Sequence, residues 1–197
     1  MKTYILLKND TINHYGITLY RIKYVDGTLG GYIENERNLE HGDAKVFDNA
    51  KVFSNARVFG NAWVYGNAKV FGNAKVFGNA KVFGRAEVYG NAWVLDNAKV
   101  YGNAWVFGDA RVYGDARVLG NAWVYGNTRV YGNARVSENA RVSENASVFG
   151  NTEVYGNASV FGSAWVLSNA RVLGNARVYG NAKVCDNTRV FGNAEVY

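Results

Sequence analysis

The chain has 197 residues, carries a formal net charge of +6 and is 48% hydrophobic, with no proline and a single cysteine, Cys185. One cysteine excludes an internal disulfide framework and a cluster of metal-binding thiolates, and no motif for a cofactor or a metal ion is present. The hydrophobic fraction suffices for a substantial core, and the absence of proline suits uninterrupted β ladders.

The start of the chain carries only a short apolar run, residues 4–7, before Lys8. Such a run is too short for a signal peptide or a membrane span. We therefore expect a cytoplasmic protein that does not enter a membrane.

Residues 1–42 read as a separate N-terminal β cap. The Asp26–Gly27 dipeptide is typical of a hairpin turn, and in the strand before it Tyr20, Ile22 and Tyr24 share one face. The pattern predicts three strands: residues 4–7, 17–25 and 29–33.

Residues 43–197 consist of one six-residue motif, Ala-x-Val-(Phe/Tyr)-Gly-Asn, which is repeated without insertion. Valine recurs 26 times from Val46 to Val196, and Phe or Tyr follows it in 19 cases. Self-similarity at a fixed period predicts a solenoid, and the cap would cover its first coil.

The x position decides which side of the repeat is buried, because alanine and valine share one face of an extended strand and x and the aromatic share the other. The x residue is Lys or Arg in 16 of the 26 units, so this face must be outside. Gly-Asn supplies the turn. Parallel stacking keeps valine on valine, whereas a two-residue antiparallel meander would place valine opposite the charged x.

The unit resembles that of the hexapeptide-repeat proteins, in which an aliphatic residue is followed four positions later by a small one, here Val46 with Ala50 and all later pairs. The resemblance covers about four fifths of the chain. It implies an all-β, left-handed, triangular parallel β-helix of about nine 18-residue coils, ~40 Å long at ~4.8 Å per coil. Within the cap, residues 19–22 and 30–34 are similar to the leader of bacterial and prophage-encoded members.

An 18-residue coil would align the x residues in three columns. One column places four cations in succession, and three of the tryptophans in the other two columns could act as stacking platforms. This arrangement favours a polyanion-binding face, although such charge runs also occur on ordinary solvated surfaces. The candidate binding residues are Lys81, Lys99, Arg117, Arg135, Trp93, Trp105 and Trp123.

The aromatic position beside the turn points outward by parity, so rings should stack along each corner. This apolar surface is large for a free monomer. We expect a homo-oligomer, formed through these ladders or through the uncapped C-terminal coil; stacking within the chain and binding of flat ligands are the alternatives. The repeated asparagines predict hydrogen-bonded amide ladders with a structural role.

Many proteins with this type of helix are acyltransferases that use a histidine base and a loop extruded from a coil. The two histidines here, His14 and His41, precede the first coil, and no hexad is interrupted. We therefore expect no catalytic residues and a structural, self-assembling module. A polyanion- or glycan-binding module and an acyltransferase are the alternatives.

Overall fold

A computed structural model of the chain describes residues 3–40 and 42–197 and shows a parallel β-solenoid of about nine coils. Each solenoid strand pairs in parallel with the strand 18 residues later, as Lys81 does with Lys99 and Val82 with Val100. The expected 18-residue coil is therefore confirmed. Within the described residues, no helix is long and apolar enough to cross a bilayer.

The strands form three sheets, which we call the first, second and third faces. The first face contains Lys45–Val46, Trp63–Val64, Lys81–Val82, Lys99–Val100, Arg117–Val118, Arg135–Val136, Glu153–Val154, Arg171–Val172 and Arg189–Val190. The second contains Lys51–Val52, Lys69–Val70, Glu87–Val88, Trp105–Val106, Trp123–Val124, Arg141–Val142, Ser159–Val160, Arg177–Val178 and Glu195–Val196. The third contains Arg57–Val58, Lys75–Val76, Trp93–Val94, Arg111–Val112, Arg129–Gly132, Ser147–Gly150, Trp165–Val166 and Lys183–Val184.

Most hexads are tied to the next coil by three backbone hydrogen bonds. In one hexad, Lys99, Tyr101 and Asn103 donate to carbonyl oxygens of the following coil at 2.9, 2.9 and 2.7 Å. The donors are the x, aromatic and asparagine positions, and the acceptors are the alanine, valine and glycine positions. The repeat therefore pairs the same backbone groups on every coil, and this fixes the register.

The turn depends on the glycine position, which is left-handed, with Gly102 at a φ of 75°. A Cβ atom there would lie 2.9 Å from the backbone nitrogen and oxygen of Gly120 in the next coil. Where glycine is absent, residues such as Asp48 and Glu138 take the same conformation, at φ values of 57° and 61°. None of the described asparagines has a positive φ, so the left-handed bend lies at the glycine position and not at the asparagine that follows it.

The core is a thin column of alanine and valine side chains. From Val46 to Val178 every valine of the repeat is 0% exposed, and the lysines and arginines of the x position lie outside. This is the predicted division between the two sides of the strand. Each coil contributes three valines to the column, so a change in one of them is felt mainly by its own coil and the two adjacent ones.

Two core positions carry threonine instead of alanine. Thr128 and Thr152 are 0% exposed, and their Oγ1 atoms have no hydrogen-bond partner. A buried hydroxyl without a partner is destabilising, whereas valine has the same shape. We expect Thr128→Val to raise the free energy of unfolding by about 1 kcal/mol in chemical denaturation. Thr188→Val is the control, because Thr188 is exposed; a loss of stability at Thr128 would contradict the prediction.

The cap consists of the strands β1 (Tyr4–His14), β2 (Ile17–Tyr24) and β3 (Leu29–Ile33), followed by a 3-10 helix over Glu36–Asn38. The three strands are antiparallel, and β3 then pairs in parallel with Lys51–Val52, so the sheet of the second face continues into the cap. The first strand extends seven residues beyond the predicted end at Leu7. Its polar second half did not suggest a strand, and it is held by pairing with β2.

Side chains of the cap cover the first coil on the other two faces. On the first face, the Tyr24 hydroxyl donates to the carbonyl oxygen of Val46 at 3.0 Å and accepts from its amide at 2.7 Å. On the third face, Asn38 Nδ2 donates to the carbonyl oxygens of Ser54 and Ala56, both at 2.9 Å. These contacts replace the hydrogen bonds that a preceding coil would make.

The outer side of β2 is not simply a charged face. Leu19, which shares it with Arg21 and Lys23 by alternation, is fully buried. It packs with Tyr32 and Phe53 in a small hydrophobic cluster outside the solenoid core. The hairpin of β1 and β2 therefore lies partly over the outer surface of the second face.

Candidate functional site

The aromatic columns are stacked within the chain. Phe59 and Phe77, one coil apart, have ring centroids 4.7 Å apart and planes inclined by 4°. Tyr89 and Phe107 show the same arrangement at 4.9 Å and 1°. Because the rings lie face to face along the axis, they present edges rather than faces to the side. The structure thus shows the intramolecular stacking that the sequence left as an alternative to contacts between subunits.

The asparagine side chains form the predicted amide ladders. Asn121 Nδ2 donates to Asn139 Oδ1 at 3.0 Å, Asn139 to Asn157 at 3.1 Å and Asn157 to Asn175 at 3.1 Å. Each amide is occupied by its neighbours above and below. A continuous ladder of this kind is a structural element and leaves few groups for a ligand.

The four predicted cations lie in one row on the first face. Lys81, Lys99, Arg117 and Arg135 occupy successive coils in register, with no carboxylate at the x positions between them. Elsewhere a glutamate in an x column pairs with a cation one coil away, as in the ion pairs Lys69–Glu87 at 2.9 Å, Glu153–Arg171 at 3.2 Å and Arg177–Glu195 at 3.1 Å. The row therefore has charges that its own column does not balance. We call it the cationic row.

The three predicted tryptophans do not join the cationic row. Trp105 and Trp123 lie on the second face and Trp93 on the third. Trp105 and Trp123 stack on each other at 5.1 Å and 4°. Trp93 has Lys75 over its ring at 4.9 Å and Arg111 at 5.0 Å. Their ring faces are thus already in contact with neighbours, and the predicted residues are spread over three faces rather than one surface.

Of the two histidines, His14 lies at the tip of the β1–β2 hairpin with its ring 5.3 Å from that of Phe53, edge to face. Burial, helped by the charges of Lys51 and Lys69, lowers the pKa of His14, while the charge of Glu87 acts in the opposite direction. Its Nε2 is buried without a hydrogen-bond partner. His41 lies outside the described residues.

Metal-ligating side chains are scattered rather than grouped: among the residues that the structure describes, no three of His, Cys, Asp and Glu are placed to hold an ion. Cys185 is half-buried, and its thiol lies 3.3 Å from Asp186 Oδ2. The hydrogen bond to Asp186 raises the pKa of this thiol.

One surface that the sequence prediction omitted is a groove of about 470 Å³ along the third face, lined among others by Arg129, Ser147, Ser163 and Trp165. The signal for it is visible in the repeat, because Ser147 is one of two serines at the x position. The groove could be recognised only from the 18-residue register, because this register places Ser147 between Arg129 and Trp165.

Comparison with known proteins gives one match, which lies within the repeat. The family model described as the YdcK beta solenoid repeat matches residues 110–126 and 128–144. Each segment has nearly the length of one coil. No match was found among curated proteins. Over these two coils the chain is therefore similar to the YdcK β-solenoid repeat.

Proposed function

We propose that the protein is a structural module, a rigid β-solenoid that associates with itself through its sides. The observation that carries this proposal is the continuity of the repeat: ring stacks, amide ladders and backbone hydrogen bonds follow one another along the coils. Such a surface offers the same groups at every coil. A regular surface suits assembly, whereas chemistry on a small substrate usually needs a distinct cavity. The proposal includes the left-handed triangular helix that the hexapeptide-repeat resemblance implies.

The test is the absolute mass of the protein, measured by size-exclusion chromatography with light scattering at low and high salt. We expect an oligomer that persists in high salt, because contacts between ring edges are apolar and are not screened. The matched variant is Phe107→Ser with Tyr125→Ser, which removes two rings and should weaken the oligomer. The variant should fold, since Ser137 and Ser143 already occupy this position of the repeat. A monomer at both salt concentrations would contradict the proposal.

A second candidate function is binding of a linear polyanion along the cationic row. It is favoured by the four aligned charges of Lys81, Lys99, Arg117 and Arg135, which no glutamate of their column separates. Like charges at strand spacing repel each other, and a bound polyanion would relieve this. Binding should then weaken steeply with salt.

Charge reversal tests this second function. Lys99→Glu with Arg117→Glu should weaken binding of a labelled heparin-type oligosaccharide and reduce its salt dependence, because two contacts are lost. Lys183→Glu with Arg189→Glu makes the same change in net charge outside the row. Equal losses in both double variants would show that only net charge matters.

A further inference from the structure

The ring faces of four tryptophans are already covered, at least on one side. Trp105 and Trp123 cover each other, and Arg141 lies over Trp123 at 5.2 Å. Trp93 is flanked by cations from the coil before and the coil after. Lys81 lies over Trp63 at 4.9 Å. A ligand that stacks on an indole face would have to displace these contacts.

Trp165 differs from the other four tryptophans because no stacked ring or cation of the described residues covers its indole. It is 49% exposed, more than Trp63 at 41%, the other exposed tryptophan. Its neighbour in the preceding coil is Ser147, whose short side chain does not reach over the ring. Phe149 holds the ring from its edge, with centroids 6.0 Å apart and planes at 75°. Lys183 is the register neighbour of Trp165 in the next coil, but no cation of the described residues lies over this indole. Its face toward Ser147 is therefore open.

The open face belongs to a slot with a planar group on each side. Arg129, one coil before Ser147, lines the same groove on the far side. Two coils span about 9.6 Å, so a ring above Ser147 would lie about 4.8 Å from each neighbour. That is the spacing of the ring stacks in this chain, for example 4.7 Å between Tyr131 and Phe149. The slot thus has room for one additional ring at stacking distance from both neighbours.

The floor of the slot is regular and firmly paired. Arg129–Gly132 and Ser147–Gly150 pair over four residues, whereas the other neighbouring solenoid strands pair over two. A ligand ring would therefore enter a preformed space.

Some polar groups along the edge of the slot form no hydrogen bond within the amide ladder. Asn91 Nδ2 donates to Asp109 Oδ1 at 2.9 Å, but Asp109 has no amide with which to continue the ladder. The next contact, from Asn127 to Asn145, is long at 3.4 Å, and the ladder stops at Ser163. Amide and hydroxyl groups therefore remain free to bond the edge of a ligand.

We propose that this slot binds the base of an unpaired nucleotide, stacked between the Arg129 guanidinium and the Trp165 indole. A base is planar, so it can stack against a group on each of its two faces. It also carries hydrogen-bond donors and acceptors at its edge, which match the polar groups along the slot. A pyranose also stacks on tryptophan, but its puckered ring fits a guanidinium less well. Arg111, one coil beyond Arg129, adds a cation for a phosphate group. The site lies on the third face, apart from the cationic row on the first face.

The test uses a fluorescein-labelled ten-nucleotide single-stranded DNA, titrated at low and physiological salt, with adenosine monophosphate as the small probe. Ser147→Trp fills the slot and should weaken binding about tenfold or more. This variant should fold, because five x positions already carry tryptophan. The control is Ser159→Trp, at the other serine x position, which lies between Arg141 and Arg177; here we expect less than about a twofold change. Circular dichroism checks that both variants are folded.

A second readout locates the base. Adenosine monophosphate should quench the tryptophan fluorescence of the parent protein, and Trp165→Leu should abolish this quenching while the other four tryptophans remain. The proposal is overturned if neither probe binds, if Ser159→Trp weakens binding as much as Ser147→Trp, or if quenching survives in Trp165→Leu. It is also overturned if an oligogalacturonate binds the slot and the nucleotide does not.

Discussion

Val112→Asp is expected to lower the free energy of unfolding by at least about 4 kcal/mol. Val112 is 0% exposed in the middle of the valine column, and its neighbours on the third face are Val94 and Val130. A carboxylate there would be buried without a partner. In a solenoid each coil contacts only its neighbours, so the defect should also divide the rod into two parts that unfold separately.

The same change near the end of the chain provides the control. Val190 is 6% exposed and lies in the last described coil. In Val190→Asp only the adjacent part of the rod should fray, and the main transition should remain close to that of the parent. Thermal and urea unfolding followed by circular dichroism, with amide exchange to locate the opened coils, distinguishes the two cases. Equal losses would mean that the rod unfolds as one cooperative unit.

Tyr24→Phe is expected to cost about 2 to 4 kcal/mol, although it removes a single oxygen. The Tyr24 hydroxyl serves both backbone groups of Val46, at 3.0 and 2.7 Å. Without it, a buried amide and a buried carbonyl of the first coil lose their partners. Burial raises the pKa of Tyr24, so the phenol stays protonated and can donate across the ordinary pH range.

Tyr20→Phe is the matched control, because Tyr20 lies in the same strand and is only half-buried. It should change the free energy of unfolding by less than about 0.5 kcal/mol. Urea denaturation gives the difference, and amide exchange at Val46 shows whether the first coil has opened. Protection of that amide in Tyr24→Phe would show that another group replaces the hydroxyl.

The repeat made the solenoid predictable, because few other folds are compatible with a strict six-residue period in which small and charged residues alternate. The columns of x residues followed once an 18-residue coil was assumed, and the strand pairs confirm them. The cap was harder to predict, since the second half of β1 is polar and becomes a strand only through its partner. The hydrogen bonds of Tyr24 could not be foreseen, as they depend on where the phenol meets the first coil.

The candidate sites show the same limit. The sequence identified which residues are charged or aromatic, but not which ring faces are covered. Cover depends on the residue one coil away: Arg111 closes one side of Trp93, whereas Ser147 leaves Trp165 open. A surface position in this protein is therefore defined by its neighbours at a distance of 18 residues, and a linear reading of the repeat passes over them.

The equivalence of successive coils has a consequence for how such a chain can change in length. Removing residues 99–116 would bring Arg117 beside Lys81 and leave every downstream column on its own face. Removing only residues 99–104 would move Trp105 to the first face and shift everything after it by a third of a turn. Gain or loss of whole coils thus lengthens or shortens the rod by about 4.8 Å and keeps its surface pattern, whereas a single hexad redraws that pattern.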